Sequence, residues 1–275
     1  MYIATTLLTD LSPATLIQLA SVATGVGVLI GGVGVGGILM VPALIYLAGI
    51  NVHTAIACCL FSYAFNGLVG AWLYARQGSI RWSSGIWLGG GAIPGAWIGA
   101  TLVHKIASEW VVLIIAAFVI FAAVHSILNE PAKSGQQQPG TESLIKMRFE
   151  MPPGLLTIGL ITGFGSALSG SGGPLILVPL LVWLKWPVLT AVGLGQLIQI
   201  PISMSADVAN FQADIIDLPL ALAIAFSMST GVLLGARIAH RQPASLLRSA
   251  VNAALLFTAG WMILQSATGM LRGNY

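Results

Sequence analysis

Two short stretches hold the residue types that could do chemistry. In one, Gly34, Gly36 and Gly37 run into an apolar segment broken by Pro42. In the other, Ser169, Ser171, Gly172 and Gly173 run into an apolar segment broken by Pro179. Glycine lets the backbone turn sharply and leaves its N–H groups bare. A helix that begins just past such a turn points its positive dipole end into it. Helix starts at about Gly37 and Gly173, facing each other, would therefore hold an anion without a buried cation, with the Ser169 and Ser171 hydroxyls as added donors. The competing reading is packing, because small residues let membrane helices approach closely.

The two stretches are one element used twice. Pro179 follows Pro42 at 179 − 42 = 137 residues, and after one gap the offset settles at 136. Thr54-Ala55 falls on Thr190-Ala191, Gly95 on Gly231, Gly99-Ala100 on Gly235-Ala236, and His104-Lys105 on His240-Arg241. A register kept over that distance marks a tandem duplication. Two breaks in register, each followed by Val-Pro, favour function over packing.

A second constellation lies further along. Gln196, Gln199, Ser203, Asp207 and Asn210 recur at spacings of 3, 4, 4 and 3, one face of a helix, with Pro201 among them to kink it. The matching segment of the first copy carries a shorter stripe of Cys59, Ser62, Asn66 and Gly70. Polar stripes in hydrocarbon face the protein interior or a water-filled path. Interhelical hydrogen bonding alone is the alternative, and Asp207, close to the outer end, would be solvated.

Other reactive side chains suggest little. Arg237 is placed to snorkel to the interface. His104 and His240 end equivalent segments, His53 lies in a turn, and His125 near a segment end. No Cys/His cluster has metal-ligand spacing and no GxxxxGK[ST] loop occurs, so neither metal, cofactor nor ATP hydrolysis is expected. An intramembrane hydrolase would need a nucleophile and a base. Ser171 in Gly-Ser-Gly could be the nucleophile, but no His lies mid-segment and a repeated site argues against one catalytic serine. The expectation is a chain that is not an enzyme. A scaffolding subunit, the other rival, would need neither matched breaks nor a polar stripe. Cys58 and Cys59 are helix neighbours pointing about 100° apart, which argues against a disulfide between them.

The elements that position these residues are membrane segments. Of the 275 residues 57% are hydrophobic and 7% charged, with a mean hydropathy of +0.93; soluble domains carry about 25% charged residues. Apolar runs of roughly 20 residues, enough to span, recur from end to end. The start does not read as a cleavable signal, since no basic region precedes the apolar run and Asp10 does. A net charge of +3, placed in loops, suggests no nucleic-acid partner. The segments fall at about 13–31, 36–49, 54–75, 82–103 and 110–128, then at about 153–168, 173–186, 188–209, 217–239 and 245–268. Between them, 129–150 is polar and charged, a linker in water. The division is a first transmembrane repeat (1–128), the linker (129–150) and a second repeat (151–275). Trp82, Trp110, Trp183 and Trp186 sit at segment ends, as an interfacial aromatic belt would.

The short segments decide topology. If each break lies within one long helix, the chain has eight spans in two four-helix repeats that point the same way. If each break is a reversal, there are five segments per copy, and an odd number inverts the second copy. Cytoplasmic loops are enriched in Lys and Arg. The inverted arrangement puts nine of them on one side (Arg76, Arg81, Lys133, Lys146, Arg148, Lys185, Arg237, Arg241 and Arg248) and only Lys105 and Arg272 on the other. The parallel arrangement splits the 11 of them 6 to 5, which carries no signal. The sequence thus predicts an all-α polytopic membrane protein of two inverted repeats, with the linker cytoplasmic, both termini periplasmic and the site near the bilayer midplane. At 1.5 Å per residue, 36–49 reaches only about 20 Å, a short helix flanking a re-entrant dip.

These residues carry a resemblance. Gly34 to Leu44 read Gly-x-Gly-Gly-x-x-x-Val-Pro-x-Leu, and Gly172 to Leu181 repeat the theme around Val178-Pro179. With the Gly95/Gly99 and Gly231/Gly235 pairs they resemble the sulfite exporter TauE/SafE family of small bacterial permeases. The resemblance covers almost the whole chain apart from the linker. It implies a multi-pass protein of the inner membrane that transports sulfur-containing anions such as sulfite, thiosulfate or organosulfonates. A homodimer is a further expectation, alongside a small anionic substrate and the lipid bilayer as partners. Aligned on the prolines, Ser171 replaces Gly34 and Pro174 replaces Gly37. The substrate-binding residues are expected among Gly34, Gly36, Gly37, Ser169, Ser171, Gly172, Gly173, Gln196, Gln199, Ser62 and Asn66, with Pro42, Pro179 and Pro201 as structural hinges.

Overall fold

A computed structural model describes residues 11–34, 36–117, 151–184 and 186–239. The first copy comprises α1 (Pro13–Val33), a 3-10 turn (Gly37–Leu39), α2 (Met40–Ala48), α3 (Val52–Arg76), α4 (Trp82–Val103) and α5 (Ser108–Ala117). The second comprises α6 (Pro152–Ser169), α7 (Pro174–Trp183), α8 (Val188–Gln212) and α9 (Leu218–Ala239). Among the described residues there is no strand. Helices α1, α3, α4, α8 and α9 are long and apolar enough to cross a membrane. The linker and the expected segment at 245–268 lie outside the described residues, as does the end of the expected 110–128 segment.

Local chemistry sets the helix ends. The Ser12 side chain accepts from the Thr15 N–H, and Pro13 occupies the first turn of α1, where its missing N–H costs nothing. Asn51 caps α3 by accepting from the His53 N–H at 2.9 Å, and Asp217 caps α9 by accepting from Leu220 N–H at 2.9 Å. His53, expected in a turn, therefore lies in the first turn of α3. Its Nε2 sits 3.2 and 3.1 Å from the Val103 and Ile106 carbonyls and ties α3 to the end of α4.

Both breaks stop a helix with a left-handed glycine. Gly34 has φ 77° and donates its N–H to the Ile30 carbonyl; Gly170 has φ 65° and donates to Ser166. A Cβ on Gly36 would meet Leu29 Cβ and the Val26 carbonyl, residues of the helix just ended, so the chain doubles back there rather than continuing. The paired caps correct the alignment drawn through the prolines. Gly34 answers to Gly170 at an offset of 170 − 34 = 136, so Ser171 is not its counterpart. The second break is longer by one residue, and the offset of 137 holds only from there to the prolines. Gly36 and Gly173, with φ of 148° and 114°, remain a matched pair.

Helix packing repeats across the two copies. Helix α1 packs on α9, and α4 on α6. A Cβ on Gly27 or Gly31 would strike the carbonyl of Met228 or Val232. On Gly91 or Gly95 it would strike that of Leu156 or Leu160. Small residues here let backbones touch, the usual cement of helices in lipid. Numbers rise together in both pairs, so each pair is parallel. Helices α4 and α8 also run parallel, with Gly85 against Leu197 and Gly89 against Pro201. So do α3 and α9, with the Ser62 hydroxyl 2.8 Å from the Ala221 carbonyl and Asn66 Oδ1 accepting from Ser229 at 2.9 Å. At the centre, α3 and α8 are antiparallel: Gly67 meets Gln199, Gly70 meets Gln196, and Tyr74 meets Gly193.

The outer surface is apolar, with Ile17, Trp72, Ile86, Trp97 and Phe226 exposed. Trp82 and Trp110 are exposed at helix ends, as an aromatic belt requires. Trp186 is not; it is 5% exposed, with the Arg81 guanidinium 4.9 Å from its ring centroid. The cation–π contact gives this tryptophan a protein partner in place of the interface.

Candidate functional site

The breaks meet. A Cβ on Gly37 would lie 2.7 Å from the Ser171 carbonyl oxygen, so the two turns touch through backbone in the middle of the packed helices. Between them stands Tyr63 of α3, fully buried. Its hydroxyl donates to the Gly37 carbonyl at 2.5 Å, and its ring lies where a side chain on Gly172 would have to go. Among the described residues no backbone acceptor takes the N–H groups of Gly37, Gly172 or Gly173. Helix starts leave such donors open, and here they are gathered at one place.

The rest of the first break's candidates divide by role. Gly34 packs against Val178 and Val192, and Gly170 against Val41 and Ile56, the same residues by repeat position. Gly36 is backed by Leu29, and Gly173 by Ile202 and Ile198. At these glycines the space beyond Cα is therefore filled by protein. Ser169 and Ser171 are buried with their hydroxyls 3.0 Å apart, and Ser169 donates back to the Gly165 carbonyl at 2.8 Å. Pro42, Pro179 and Pro201 each sit inside a helix, α2, α7 and α8 respectively.

The stripe of α8 faces inward throughout. Gln196, Gln199, Ser203, Asp207 and Asn210 are all buried. Asp207 is only 7% exposed, so the expectation of a solvated carboxylate is corrected: the α8 helix extends to Gln212 and keeps Asp207 on its packed face. Gln196 donates its amide to the Ile30 carbonyl at 2.8 Å, beside the Gly34 N–H that the same carbonyl accepts, and its side chain lies on Gly70. His104, at the end of α4, has Nε2 2.9 Å from Asn210 Oδ1. Ser62 and Asn66 are committed to α9 as described above. Interhelical bonding thus accounts for part of the stripe. It does not account for Gln199 Oε1, Ser203 Oγ, Gln196 Oε1 or Asn66 Nδ2, which are buried and have no partner among the described residues. Buried polar atoms are normally paired, and unpaired ones mark places where something else binds or moves.

Tyr63 is the residue that sequence reasoning missed. The repeat register held a signal, since Tyr63 occupies the position of Gln199 in the second copy. Cys58 and Cys59 are free and buried. Among the described residues no three His, Cys, Asp or Glu side chains form a metal-holding group.

Comparison with known proteins agrees with the doubled glycine motif. The model of the sulfite exporter TauE/SafE family matches residues 19–262. The chain is 27% identical over 232 residues to the probable membrane transporter protein YdhB of Bacillus subtilis, covering 82% of this chain and 91% of that one. It is 24% identical over 223 residues to a probable membrane transporter protein of Xylella fastidiosa, covering 80% and 83%. It is 27% identical over 241 residues to one of Methanocaldococcus jannaschii, covering 81% and 86%. No solved structure gives a significant match. With both breaks, both glycine pairs and nearly all of its described helices inside the matched span, this chain belongs to the sulfite exporter TauE/SafE family.

Proposed function

We propose that the protein is a secondary transporter that exports small sulfur-containing anions such as sulfite, thiosulfate or organosulfonates. It works by alternating access, the two copies rocking about a site where the glycine breaks meet. The observation that carries this reading is the contact of Gly37 with Ser171 beneath Tyr63, with the open N–H groups of both breaks around it. Such groups suit an anion near the midplane, as in transporters built from broken helices.

The copies are inverted repeats in this reading. Equivalent helices α3 and α8 run antiparallel, and the parallel pairs α1–α9 and α4–α6 each join one copy to the other, as an axis in the membrane plane requires. The basic residues then place the linker in the cytoplasm of a bacterial inner-membrane protein and both termini outside. Arg81 against Trp186, next to Lys185, agrees with one basic side. Export needs no coupled ion. A cell interior negative by about 100 mV helps each departing charge by about 2.3 kcal/mol.

The test is flux in reconstituted vesicles. Loaded with labelled sulfite or methanesulfonate, vesicles holding the protein should lose label faster than empty ones, and faster again when the loaded side is made negative. Loss at the rate of empty vesicles would overturn the reading.

A further inference from the structure

A row of hydroxyls in the second copy has no counterpart in the first. Thr162, Ser166 and Ser169 follow one another at helical spacing on α6, and Ser171 continues them into the break. All four are buried. The Ser171 N–H donates to the Ser166 carbonyl at 3.2 Å, which folds the break over the end of the row. A hydroxyl in an apolar helix ordinarily satisfies itself on the carbonyl four residues back. Thr157 does so on Pro153 and Ser227 on Ala223. Thr162 and Ser166 do not; their oxygens are fully buried and have no partner among the described residues.

At the repeat offset of 136, these positions in the first copy hold Val26, Ile30 and Val33. The same inequality holds on the central helices, where Gln196, Gln199 and Ser203 stand opposite Leu60, Tyr63 and Gly67. At these positions the first copy therefore offers only the Tyr63 hydroxyl, already committed to Gly37, where the second offers a row of donors. A buried donor without an acceptor is costly until an acceptor arrives. A sulfonate-type head is all acceptor, with three oxygens to share among several hydroxyls.

We propose that the second copy supplies the polar wall of the anion site, with Thr162 and Ser166 as substrate-binding hydroxyls, and that the site takes monovalent oxyanions in preference to dianions. The proposal rests on the transporter reading above. The charge preference follows from what surrounds the row. The described basic side chains His53, Arg76, Arg81, His104, Lys105 and Arg237 all lie at helix ends, so among the described residues only dipoles are left to replace lost water. The desolvation cost of an ion grows as the square of its charge, so a dianion costs about four times as much to bring in. Hydrogensulfite and organosulfonates are favoured, and the dianions sulfate and thiosulfate are disfavoured, which narrows the substrates proposed above.

The experiment measures binding of labelled methanesulfonate to the purified full-length protein in detergent, together with its exchange in vesicles. Thr162→Val and Ser166→Ala are close in shape to the native residues, and each should weaken binding by about tenfold or more, since a hydrogen bond to a charge is lost. Val26→Ala and Ile30→Val, at the matching places of the first copy, should leave affinity within about twofold. Thermal unfolding of each variant identifies any that is merely unfolded. For such a variant, Thr162→Ser, which keeps the hydroxyl, should restore binding, and failure to restore it counts against the assignment. Wild-type affinity in well-folded Thr162→Val and Ser166→Ala would overturn the assignment while leaving transport intact. Sulfate competing as well as methanesulfonate would overturn the charge preference. A wild-type protein that neither binds nor moves methanesulfonate or sulfite would bring down the transporter reading itself, and this inference with it.

Discussion

The Tyr63 hydroxyl donates to the Gly37 carbonyl at 2.5 Å, and this one bond ties the central helix α3 to a break that lies against the other copy's break. Any motion that parts Gly37 from Ser171 must either carry Tyr63 along or break the bond. The tyrosine is thus a brace across the proposed site, held in place by burial on all sides.

Tyr63→Phe should therefore remove one of the two hydrogen bonds to the buried Gly37 carbonyl, which keeps the Met40 N–H, at a cost of about 0.5–1.5 kcal/mol. Thermal unfolding of the purified protein should show a lower midpoint, and anion exchange should change as well. An unchanged midpoint would mean the bond is not formed in the resting protein.

Topology gives an independent test. Reporter fusions within 129–150 should read cytoplasmic and fusions after Tyr275 periplasmic, because the basic residues divide nine to two across the inverted arrangement. Linker and C-terminus on the same side would remove the inverted repeats.

The glycines of the breaks should be intolerant for a reason visible in their backbone. Gly36 and Gly173 hold φ of 148° and 114°, and a Cβ on either would press on Leu29 or Ile202 at 2.9 Å. Val at either place adds strain of about 1–3 kcal/mol and fills the turn. Gly36→Val and Gly173→Val should abolish exchange, and Gly→Ala should be milder. Gly25→Val, where a Cβ meets nothing within 4 Å, is the control and should transport normally. Gly85→Val is a poorer control, since Leu197 must move aside. Normal methanesulfonate binding by Gly36→Val or Gly173→Val would make the breaks packing elements.

Much of this was legible in the residues because the chain says it twice. The duplication gave the breaks, their pairing and the segment plan, and helices α1, α3, α4, α8 and α9 fall within a few residues of expectation. What escaped were facts that depend on which helix faces which. Tyr63 looks like an ordinary membrane tyrosine until Gly37 and Gly172 are seen on either side of it. Asp207 looked solvated because length alone could not tell that α8 runs on to Gln212. Thr162 and Ser166 went unnoticed because lone hydroxyls in apolar helices usually bond to their own backbone. The extra residue of the second break was hidden because the prolines, the most visible landmarks, lie beyond the insertion.

The stripe of α8 makes an accessibility prediction. With Cys58 and Cys59 replaced, Cys at Gln199 should react with small aqueous thiol reagents during turnover, and Cys at Gln196 more slowly, because that position packs closely on Gly70 of α3. Leu197, which packs toward Gly85, and Ile200, beside Gly67, should be protected. Equal labelling at all four positions would place the path elsewhere.

Substrate protection at the junction itself is the most direct test of an anion site between the breaks. Ser171→Cys in the same cysteine-free background should react with N-ethylmaleimide in vesicles, and methanesulfonate should slow that reaction in a saturable way. Equal rates with and without the anion, or no reaction at all, would contradict the site.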